Sequence, residues 1–500
     1  MRIELSGAAP ADEKADLLAI GCTEDTLEDN ALIASLDQSL SGFLRTAIKD
    51  ERFLAKSGQT LTFATHGRIG PGRLALIGLG KRSSITLPSL RSFAGRAARL
   101  AHAVGAKRLA LLPPLGFVGP LPDQATLVQR LSEGVVLGSY RFEKYLSEDK
   151  RTPLSLHEVT LLTGAGANAE LGAAVMRGQR IAAAVARARD LINEPGAAMT
   201  PIHMADVAKT IATENGLGCN VLGPAECRAQ NMGLFLAVAQ GSAEEPRFIH
   251  LSWKPTGAKK RVVLVGKGVT FDSGGLSLKP NDGMLDMKTD MSGAAAVLSA
   301  MAVVAQEKLP VEVHALAACT ENMPSGTAYK LGDVLRSKAG KTIEINNTDA
   351  EGRLTLADAI TYGLDLKPDA LLDFATLTGA CMVALGPHIA GVMSNNDALA
   401  TQWLEAAQAA GEEMWRLPLP DRLLEMLKSD VADMKNTGER WGGALTAGLF
   451  LREFVGETPW VHVDLAGPST ADKDAGETSK GGTGFAVTTI VEYLRRIAAT

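Results

Sequence analysis

Short apolar runs recur along the chain, and segments with helical spacing separate them. The clearest runs are RVVLVGKG at 261–268, VEVHALAACT at 311–320 and ALLDFATLTG at 370–379. Strands that are apolar on both faces need helices on both sides, as in a mainly parallel sheet. Strands that alternate with helices also favour βαβ units. The pattern predicts an α/β protein with a mixed, mostly parallel central sheet flanked by helices.

The length of the chain indicates more than one domain, because 500 residues exceed what one hydrophobic core usually supports. Residues 1–165 alternate strand-like and helix-like segments by themselves, which predicts a separate N-terminal α/β domain. An Ala- and Arg-rich helix should follow, stopped by Pro195 and Gly196. We predict an N-terminal domain at 1–165, a connecting helix at 166–196 and a larger catalytic domain at 197–500.

The composition argues against several classes of protein. A formal net charge of -5 provides no broad cationic field, so nucleic-acid binding is not favoured. The five cysteines form no CxxC pair, so neither a cysteine-bound zinc nor a disulfide framework is expected. The first residues lack the pattern of a secretory signal, and no apolar run approaches the roughly 20 residues that cross a bilayer. We expect a cytoplasmic protein that does not bind membranes.

Charged residues concentrate in two stretches whose surroundings are apolar and rich in glycine. The stretches VGKGVTFDSGGLSLKP with MKTDMSG, and NNTDAEGRL, contribute Lys267, Asp272, Lys279, Asp290, Asp349, Glu351 and Arg353. Buried charges are costly unless they pair or coordinate a metal. Lys267 follows the predicted strand 261–266, at the strand end where open α/β sheets form binding crevices. The alternating positions 349, 351 and 353 would face one side of an extended segment.

Ordinary salt bridges at strand ends are the simpler explanation for any single one of these residues. They do not explain why four carboxylates and two lysines gather beside glycine-rich backbone. One metal ion with three carboxylates remains an alternative, but two ions that share carboxylates account better for the count. Lys267 would coordinate only as a neutral amine, and two adjacent cations together with burial lower a lysine pKa. Lys279 is better interpreted as a cation that polarises a carbonyl group.

Other catalytic patterns are missing from the sequence. The eight histidines form no HExxH or similar ligand pair, which excludes a zincin-type site, and packing or hydrogen bonding is expected of them instead. The GxGxxG, Walker and GxSxG motifs are also absent. The remaining interpretation is a metal-dependent hydrolase whose ligands are mainly carboxylates.

The motifs resemble those of the leucyl aminopeptidases, also called cytosol aminopeptidases, a family of dinuclear metallo-aminopeptidases. NTDAEGRL at 347–354 is the most specific match, and VGKGVTFDSGGLSLKP at 265–280 and MKTDMSGAAAV at 287–297 fit with matching spacing. The resemblance is strong from about residue 180 onward and includes RDLINEPGAAMTP, DFATLTGA and GGTGFAV. It is weak before residue 165, where the family implies a macro-like α/β domain.

The resemblance implies a role for each matching residue. One metal ion would be held by Asp272, Asp349 (including its backbone carbonyl) and Glu351, and the other by Lys267, Asp272, Asp290 and Glu351. Lys279 and Arg353 match the two catalytic positions that are not ligands. The residues that line the pocket for the first side chain of the substrate, or hold its backbone, would be Met287, Thr376, Leu377 and Gly379.

The family also implies cofactors, partners and a reaction. It implies two divalent ions per subunit, manganese or zinc, a bicarbonate at Arg353, whose guanidinium suits such an anion, and a homohexamer. The expected reaction releases N-terminal amino acids, preferably leucine-like ones, from peptides with a free amine, through a water whose pKa the cations lower. Two alternatives are a two-metal phosphoesterase-type hydrolase and a regulator that binds DNA as a second function.

Overall fold

The computed structural model describes residues 1–114, 123–164 and 167–499. Two compact units make up the chain: Met1–Ala183 with Lys473–Ser479, and Ala184–Asp472 with Lys480–Thr500. The main division falls inside a long helix, Ala169–Asn193. The predicted boundary between residues 165 and 166 lies outside the described residues, and the three domain ranges stay predictions.

The first unit is built on a six-stranded sheet. Its strands are β1 (Arg2–Ser6), β2 (Leu17–Cys22), β3 (Thr60–Ala64), β4 (Arg73–Gly78), β5 (Arg108–Leu112) and β6 (Glu158–Leu162). Its helices are α1 (Ala31–Ser39), α2 (Phe43–Asp50), α3 (Leu87–Ala103), α4 (Gln124–Gly138) and the first part of α5 (Ala169–Asn193). The strand order is β1-β6-β5-β2-β4-β3, and all neighbours are parallel except β3 and β4. Apolar clusters cover both faces of the sheet, as its buried strands require.

The second unit contains a larger sheet with helices on both faces. Its strands are β7 (Gly218–Leu222), β8 (Arg247–Trp253), β9 (Arg261–Asp272), β10 (Glu312–Asn322), β11 (Val334–Arg336), β12 (Thr342–Glu344), β13 (Ala370–Ala375), β14 (Ala390–Ser394), β15 (Met414–Arg416), β16 (Met434–Lys435), β17 (Trp460–Asp464), β18 (Thr470–Ala471) and β19 (Gly481–Gly482). Its further helices are α6 (Pro201–Asn215), α7 (Pro224–Ala229), α8 (Gly233–Ala239), α9 (Asn281–Met284), α10 (Ser292–Gln306), α11 (Gly352–Asp365), α12 (Gly379–Leu385), α13 (Asp397–Ala410), α14 (Gly443–Arg452) and α15 (Val487–Ala498).

The eight strands of the large sheet follow the order β15-β14-β17-β13-β9-β10-β8-β7. The central strands β17, β13, β9 and β10 are parallel, and antiparallel pairs lie toward both edges. The prediction of a mixed, mostly parallel sheet is therefore confirmed. Among the described residues, no helix combines the length and the apolar character needed to cross a bilayer.

Strand β9 lies at the position in this sheet from which the connections run to opposite edges. From β9 the chain passes through α10 to β10 on one side, and it later returns through α11 to β13 on the other side. Helix α10 packs against α6 and α15, whereas α11 packs against α8 and α14, so the two helices cover opposite faces. The carboxyl end of β9 is thus a topological switch point, where open α/β sheets bind their ligands.

Candidate metal centre

Strand β9 carries two of the predicted site residues, Lys267 and Asp272. The prediction that this strand ends at residue 266 is wrong, because β9 continues to Asp272 in register with β10. Residues five positions apart lie on opposite faces of a regular strand. Thr270, however, is skipped in the register with β10 and forms a β-bulge, which shifts the alternation by one residue. Lys267 and Asp272 therefore face the same side.

The other charged residues come from the loops and helix starts around the end of β9. Asp290 lies just before α10, and Asp349 lies in the loop before α11. Glu351 already has helical backbone angles, and Arg353 belongs to the first turn of α11. The extended segment predicted for residues 349–353 is therefore wrong. A turn into a helix, not strand alternation, gathers these side chains.

Lys267 is buried among acidic groups. Its Nζ lies 2.7 Å from Asp290 Oδ2 and 2.9 Å from Glu351 Oε1, and it donates a 3.0 Å hydrogen bond to the carbonyl of Thr376. Burial acts to lower the pKa of Lys267, but the charges of Asp290 and Glu351 outweigh it and raise that pKa. With the protein's own charges alone, Lys267 is a cation, so coordination through a neutral amine requires metal ions to reverse this effect.

Lys279 joins one carboxylate from each of the two charged stretches. Its Nζ lies 3.0 Å from Asp272 Oδ2 and 2.5 Å from Asp349 Oδ1. Burial acts to lower the pKa of Lys279, but the charge of Asp272 and that of Glu351 raise it overall. Unlike Lys267, this side chain keeps 16% of its surface exposed. Lys279 is therefore a fixed cation at the accessible side of the cluster.

Three carboxylates form the centre of the cluster. One oxygen from each of Asp272, Asp290 and Glu351 lies within 4.8 Å of the others, and all three residues are buried. Burial, with the neighbouring charge of Glu351, raises the pKa of Asp272, and burial raises the pKa of Asp290 well above its usual range. Within the described residues, Glu351 Oε2 is buried and has no hydrogen-bond donor.

This arrangement fits divalent cations. Four carboxylates outnumber the two ammonium groups that contact them, so the protein's own cations do not neutralise the cluster. A buried carboxylate oxygen without a donor is costly unless a cation contacts it. Oxygen ligands with one nitrogen suit ions such as manganese or zinc.

Arg353 lies beside the cluster and is almost completely buried. Its guanidinium Nη1 donates a 2.9 Å hydrogen bond to the carbonyl of Asn436. Burial lowers the pKa of Arg353 to about 10, although the charges of Glu351 and Asp464 act in the opposite direction. Arg353 therefore remains cationic at neutral pH.

The residues predicted to contact the substrate follow β13 or precede Asp290. Thr376 contacts two residues of the charged cluster. Its hydroxyl donates to Asp290 Oδ1 (2.7 Å), and its carbonyl accepts from Lys267. The N–H of Leu377 is held by Asp464 Oδ1 at 3.1 Å. Gly379 begins α12, and apart from its chain neighbours and its own helix backbone, no atom of the described residues lies within 4 Å of the place where its Cβ would be. Met287 is half-buried in a short 3-10 helix.

Sequence reasoning missed the polar residues that support this cluster. Asn322 Nδ2 donates to Asp272 Oδ1 at 2.8 Å, and Tyr329 donates to the carbonyl of Thr348 at 2.7 Å. Asp464 accepts the N–H groups of Leu377 and Thr378. The position of Asn322 at the end of a strand next to β9 was the one available signal.

Comparison with known proteins shows the family and the fold of this chain. Residues 186–491 match the cytosol aminopeptidase family, catalytic domain, and residues 19–149 match the N-terminal domain of the same family. Probable cytosol aminopeptidases of Cyanothece sp. and Nostoc punctiforme are 44% and 45% identical over 498 and 502 residues. The first alignment covers 99% of both chains, and so does the alignment to the Gloeobacter violaceus relative at 43% identity.

Two solved structures have the same fold over nearly the whole chain. A mutant tomato leucine aminopeptidase superimposes with a TM-score of 0.91 at 39% identity, covering 99% of this chain and 96% of that one. The bottromycin maturation enzyme BotP in complex with Mn gives a TM-score of 0.85 at 37% identity, covering 97% and 100%. The carboxylate cluster, the two-unit fold and these relatives agree: the chain belongs to the cytosol aminopeptidase family of metal-dependent aminopeptidases.

Proposed function

We propose that this chain removes N-terminal amino acids, preferably leucine-like ones, from peptides with a free amine, and that two divalent cations per subunit assist it. The observation that carries the proposal is the convergence of Asp272, Asp290 and Glu351 oxygens within 4.8 Å, next to two lysines. Family membership favours this function over a two-metal phosphoesterase.

The residues that would hold the cations are Lys267, Asp272, Asp290, Asp349 and Glu351. Of these, Asp272 and Glu351 would serve both ions, as the family resemblance implies. When bound, the two ions supply a lowered pKa for water and polarisation of the scissile carbonyl. Manganese is supported by the BotP structure, and zinc is the alternative that the family resemblance allows.

Lys279 is proposed to stabilise the negative charge that develops on the scissile carbonyl oxygen. Its ammonium is fixed by Asp272 and Asp349 and is partly accessible, so it need not move during the reaction. A preorganised cation of this kind stabilises a transition state without reorganisation.

Arg353 is proposed to bind an anion, bicarbonate, that moves the proton of the reaction. The four acidic residues of the cluster are all assigned as ligands, so none remains as a free general base. A buried guanidinium with one nitrogen held by Asn436 offers further donors to such an anion.

The pocket for the first side chain of the peptide is proposed to include Met287, Thr376, Leu377 and Gly379. Gly379 supports this assignment, because the space beside its Cα is open. Thr376 would link this pocket to Asp290 and Lys267 through the hydrogen bonds described above. The tomato leucine aminopeptidase supports a leucine-like preference, and the homohexamer and cytoplasmic location stay predictions from the family resemblance.

Hydrolysis of leucine p-nitroanilide tests the proposed function. We expect the purified protein to release nitroaniline, to lose this activity after exhaustive chelation and to regain it when manganese is added back. Acetyl-leucine p-nitroanilide, which lacks the free amine, should not be cleaved. Full activity after chelation, or equal cleavage of the acetylated compound, would contradict the proposal.

A chromogenic phosphate monoester serves as the matched substrate for the rival activity. We expect no turnover of this compound under conditions in which the anilide is cleaved. The reverse result would favour a phosphoesterase.

A further inference from the structure

Asn322 is a buried residue that contacts both segments of the acidic cluster. It is the last residue of β10 and lies opposite Asp272 of β9 in the register of the sheet. Its side chain has no exposed surface. One amide group thus reaches the strand that carries Asp272 and the loop that carries Asp349.

The two hydrogens of the Asn322 amide have two acceptors. Nδ2 donates to Asp272 Oδ1 at 2.8 Å and to the backbone carbonyl of Thr348 at 3.0 Å. Because both partners only accept hydrogen bonds, the orientation of the amide is determined. The backbone carbonyl of Asn322 in turn accepts the N–H and the hydroxyl of Ser273, at 3.0 and 2.7 Å.

These contacts fix the rotation of the Asp272 carboxylate. Its Oδ1 accepts from Asn322 and from the N–H of Gly274, at 2.8 and 2.9 Å. Its Oδ2 is then directed to Lys279 and the centre of the cluster. A carboxylate held on one oxygen presents the other in a single position, as ligands supported by outer hydrogen bonds do.

The same amide restrains the loop before Glu351. The carbonyl of Thr348 accepts from Asn322 and also from the Tyr329 hydroxyl at 2.7 Å. This carbonyl belongs to the peptide that joins Thr348 to Asp349. Two donors on one carbonyl therefore fix the position of the peptide bond that precedes Asp349.

One atom of the Asn322 amide, its oxygen, has no hydrogen-bond partner among the residues that the structure describes. Within the described residues, Asn322 Oδ1 is buried and has no donor. It faces Gly275, at which a Cβ would lie 2.8 Å from Oδ1, and Gly275 has a positive φ of 63°. Glycine is required there for both reasons. A buried acceptor without a donor is costly, which argues that the amide serves its two acceptors.

We propose that Asn322 is a positioning residue of the metal centre, which sets the distance between Asp272 and the Asp349–Glu351 segment. The inference rests on the proposed function. It predicts that Asn322 acts through metal affinity, not through contact with the peptide.

Titration of chelator-treated protein with Mn²⁺ in a calorimeter tests this proposal. For Asn322→Ala we expect a Kd for Mn²⁺ about 10- to 100-fold higher than in the unsubstituted protein, the range typical of outer hydrogen-bond partners of ligands. Tyr329→Phe, which removes one of the two donors on Thr348, should weaken binding less. Excess Mn²⁺ should restore kcat of Asn322→Ala with KM for leucine p-nitroanilide unchanged.

Asn193→Ala is the matched control, because Asn193 is also buried and its side chain also binds backbone, the N–H of Gly482 at 2.8 Å. We expect it to lower the melting temperature and to leave the Kd for Mn²⁺ unchanged. If Asn322→Ala does not fold, Asn322→Leu, which has a similar volume and removes the donor without adding a charge, takes its place and should also bind Mn²⁺ weakly.

The outcomes separate the two levels of inference. An unchanged Kd in the Asn322 variant, or an equal rise in the Asn193 control, overturns the positioning role alone. If the unsubstituted protein binds no Mn²⁺, the proposed metal centre is wrong and this inference falls with it.

Discussion

The position of Glu351 favours the binding of a divalent cation but is costly for the stability of the protein without one. It is buried, one of its oxygens has Lys267 at 2.9 Å, and the other has no hydrogen-bond donor within the described residues. Its charge also raises the pKa of Asp272, where burial is the larger cause. Repulsion among buried carboxylates of this kind is relieved when a divalent cation binds.

The substitution Glu351→Gln separates the contribution of this carboxylate to activity from its contribution to stability. We expect kcat/KM to fall by more than about 100-fold, since outer partners of metal ligands alone typically account for about 10- to 100-fold. The chelator-treated variant should unfold at a urea concentration equal to or above that of the unsubstituted protein, because one buried negative charge is gone.

Urea unfolding of both chelated proteins, followed by circular dichroism, measures the stability part of this prediction. Asp421→Asn, on an exposed carboxylate paired with Arg452, is the control and should change neither quantity much. A marked loss of stability in Glu351→Gln would show that the carboxylate supports the fold itself.

At the scale of elements, the sequence indicated the large sheet well because apolar runs such as those of β9, β10 and β13 leave few alternatives. The local geometry at the site could not be predicted in the same way. A two-residue alternation cannot indicate the bulge at Thr270, which depends on pairing with β10. Nor does the motif around Glu351 indicate that helix α11 begins at Gly352, since packing decides where a helix starts.

The roles of the site residues illustrate the same limit. The sequence predicts that Lys267, Asp290 and Glu351 share one site, and they lie together in the structure, yet their roles as ligands stay predictions. The sequence does not indicate the role of Asn322, because a single asparagine at a strand end has no motif of its own. Its role depends on two acceptors that are distant in sequence, Asp272 at 50 residues and Thr348 at 26 residues from it.

Strands β8 and β10 carry a chain of hydrogen bonds with a fixed direction. Glu312 accepts from His314 Nε2 at 2.9 Å, so His314 Nδ1 accepts from His250 Nε2 at 2.9 Å. His250 Nδ1 then accepts from the Tyr362 hydroxyl at 3.2 Å. This direction holds while both imidazoles are neutral, and burial lowers the pKa of both histidines. Burial is the main cause for His250, whose pKa it lowers to about 4.

This arrangement predicts a loss of stability in mild acid. The pKa of His250 is about 6.5 in the unfolded chain and about 4 in the folded one, so only the unfolded chain gains a proton between these values. The free energy of unfolding should therefore fall as the pH is lowered from about 6.5 to about 4, by at most about 3 kcal/mol from this residue.

The substitution His250→Gln removes the titrating group but keeps an amide that can donate and accept. Urea unfolding at several pH values between 7 and 4.5 should show a flatter pH dependence for the variant than for the unsubstituted protein. Other acidic groups titrate in both proteins, so the difference between the two curves is the relevant quantity. Identical curves would contradict the assignment.

For the whole molecule, the most unusual feature is that Lys473–Ser479 belongs to the first unit although its chain neighbours belong to the second. Arg91 Nε lies 2.9 Å from Glu477, and Arg99 Nη1 lies 2.6 Å from Asp474. The Arg91 guanidinium also lies 3.7 Å from the buried carboxylate of Glu133. Charged contacts thus hold this distant segment in place.

The substitution Arg91→Met should destabilise the first unit by about 3 kcal/mol, because it leaves carboxylates with one fewer buried cation. All five tryptophans lie in the second unit, so circular dichroism should detect the change more strongly than tryptophan fluorescence. Arg108→Met, on an exposed pair with Asp16, should cost less than about 1 kcal/mol. Equal costs for both substitutions would contradict the importance of the buried pair.

The placement of Lys473–Ser479 also has a consequence for protein synthesis. All strands of the six-stranded sheet leave the ribosome before residue 165, but Glu477 and Asp474 emerge more than 300 residues later. The amino-terminal unit must therefore wait for almost the entire polypeptide to be translated before Arg91 and Arg99 meet these acidic residues. Ribosome-bound chains stopped before residue 473 should be cut more readily by protease in this unit than finished ones.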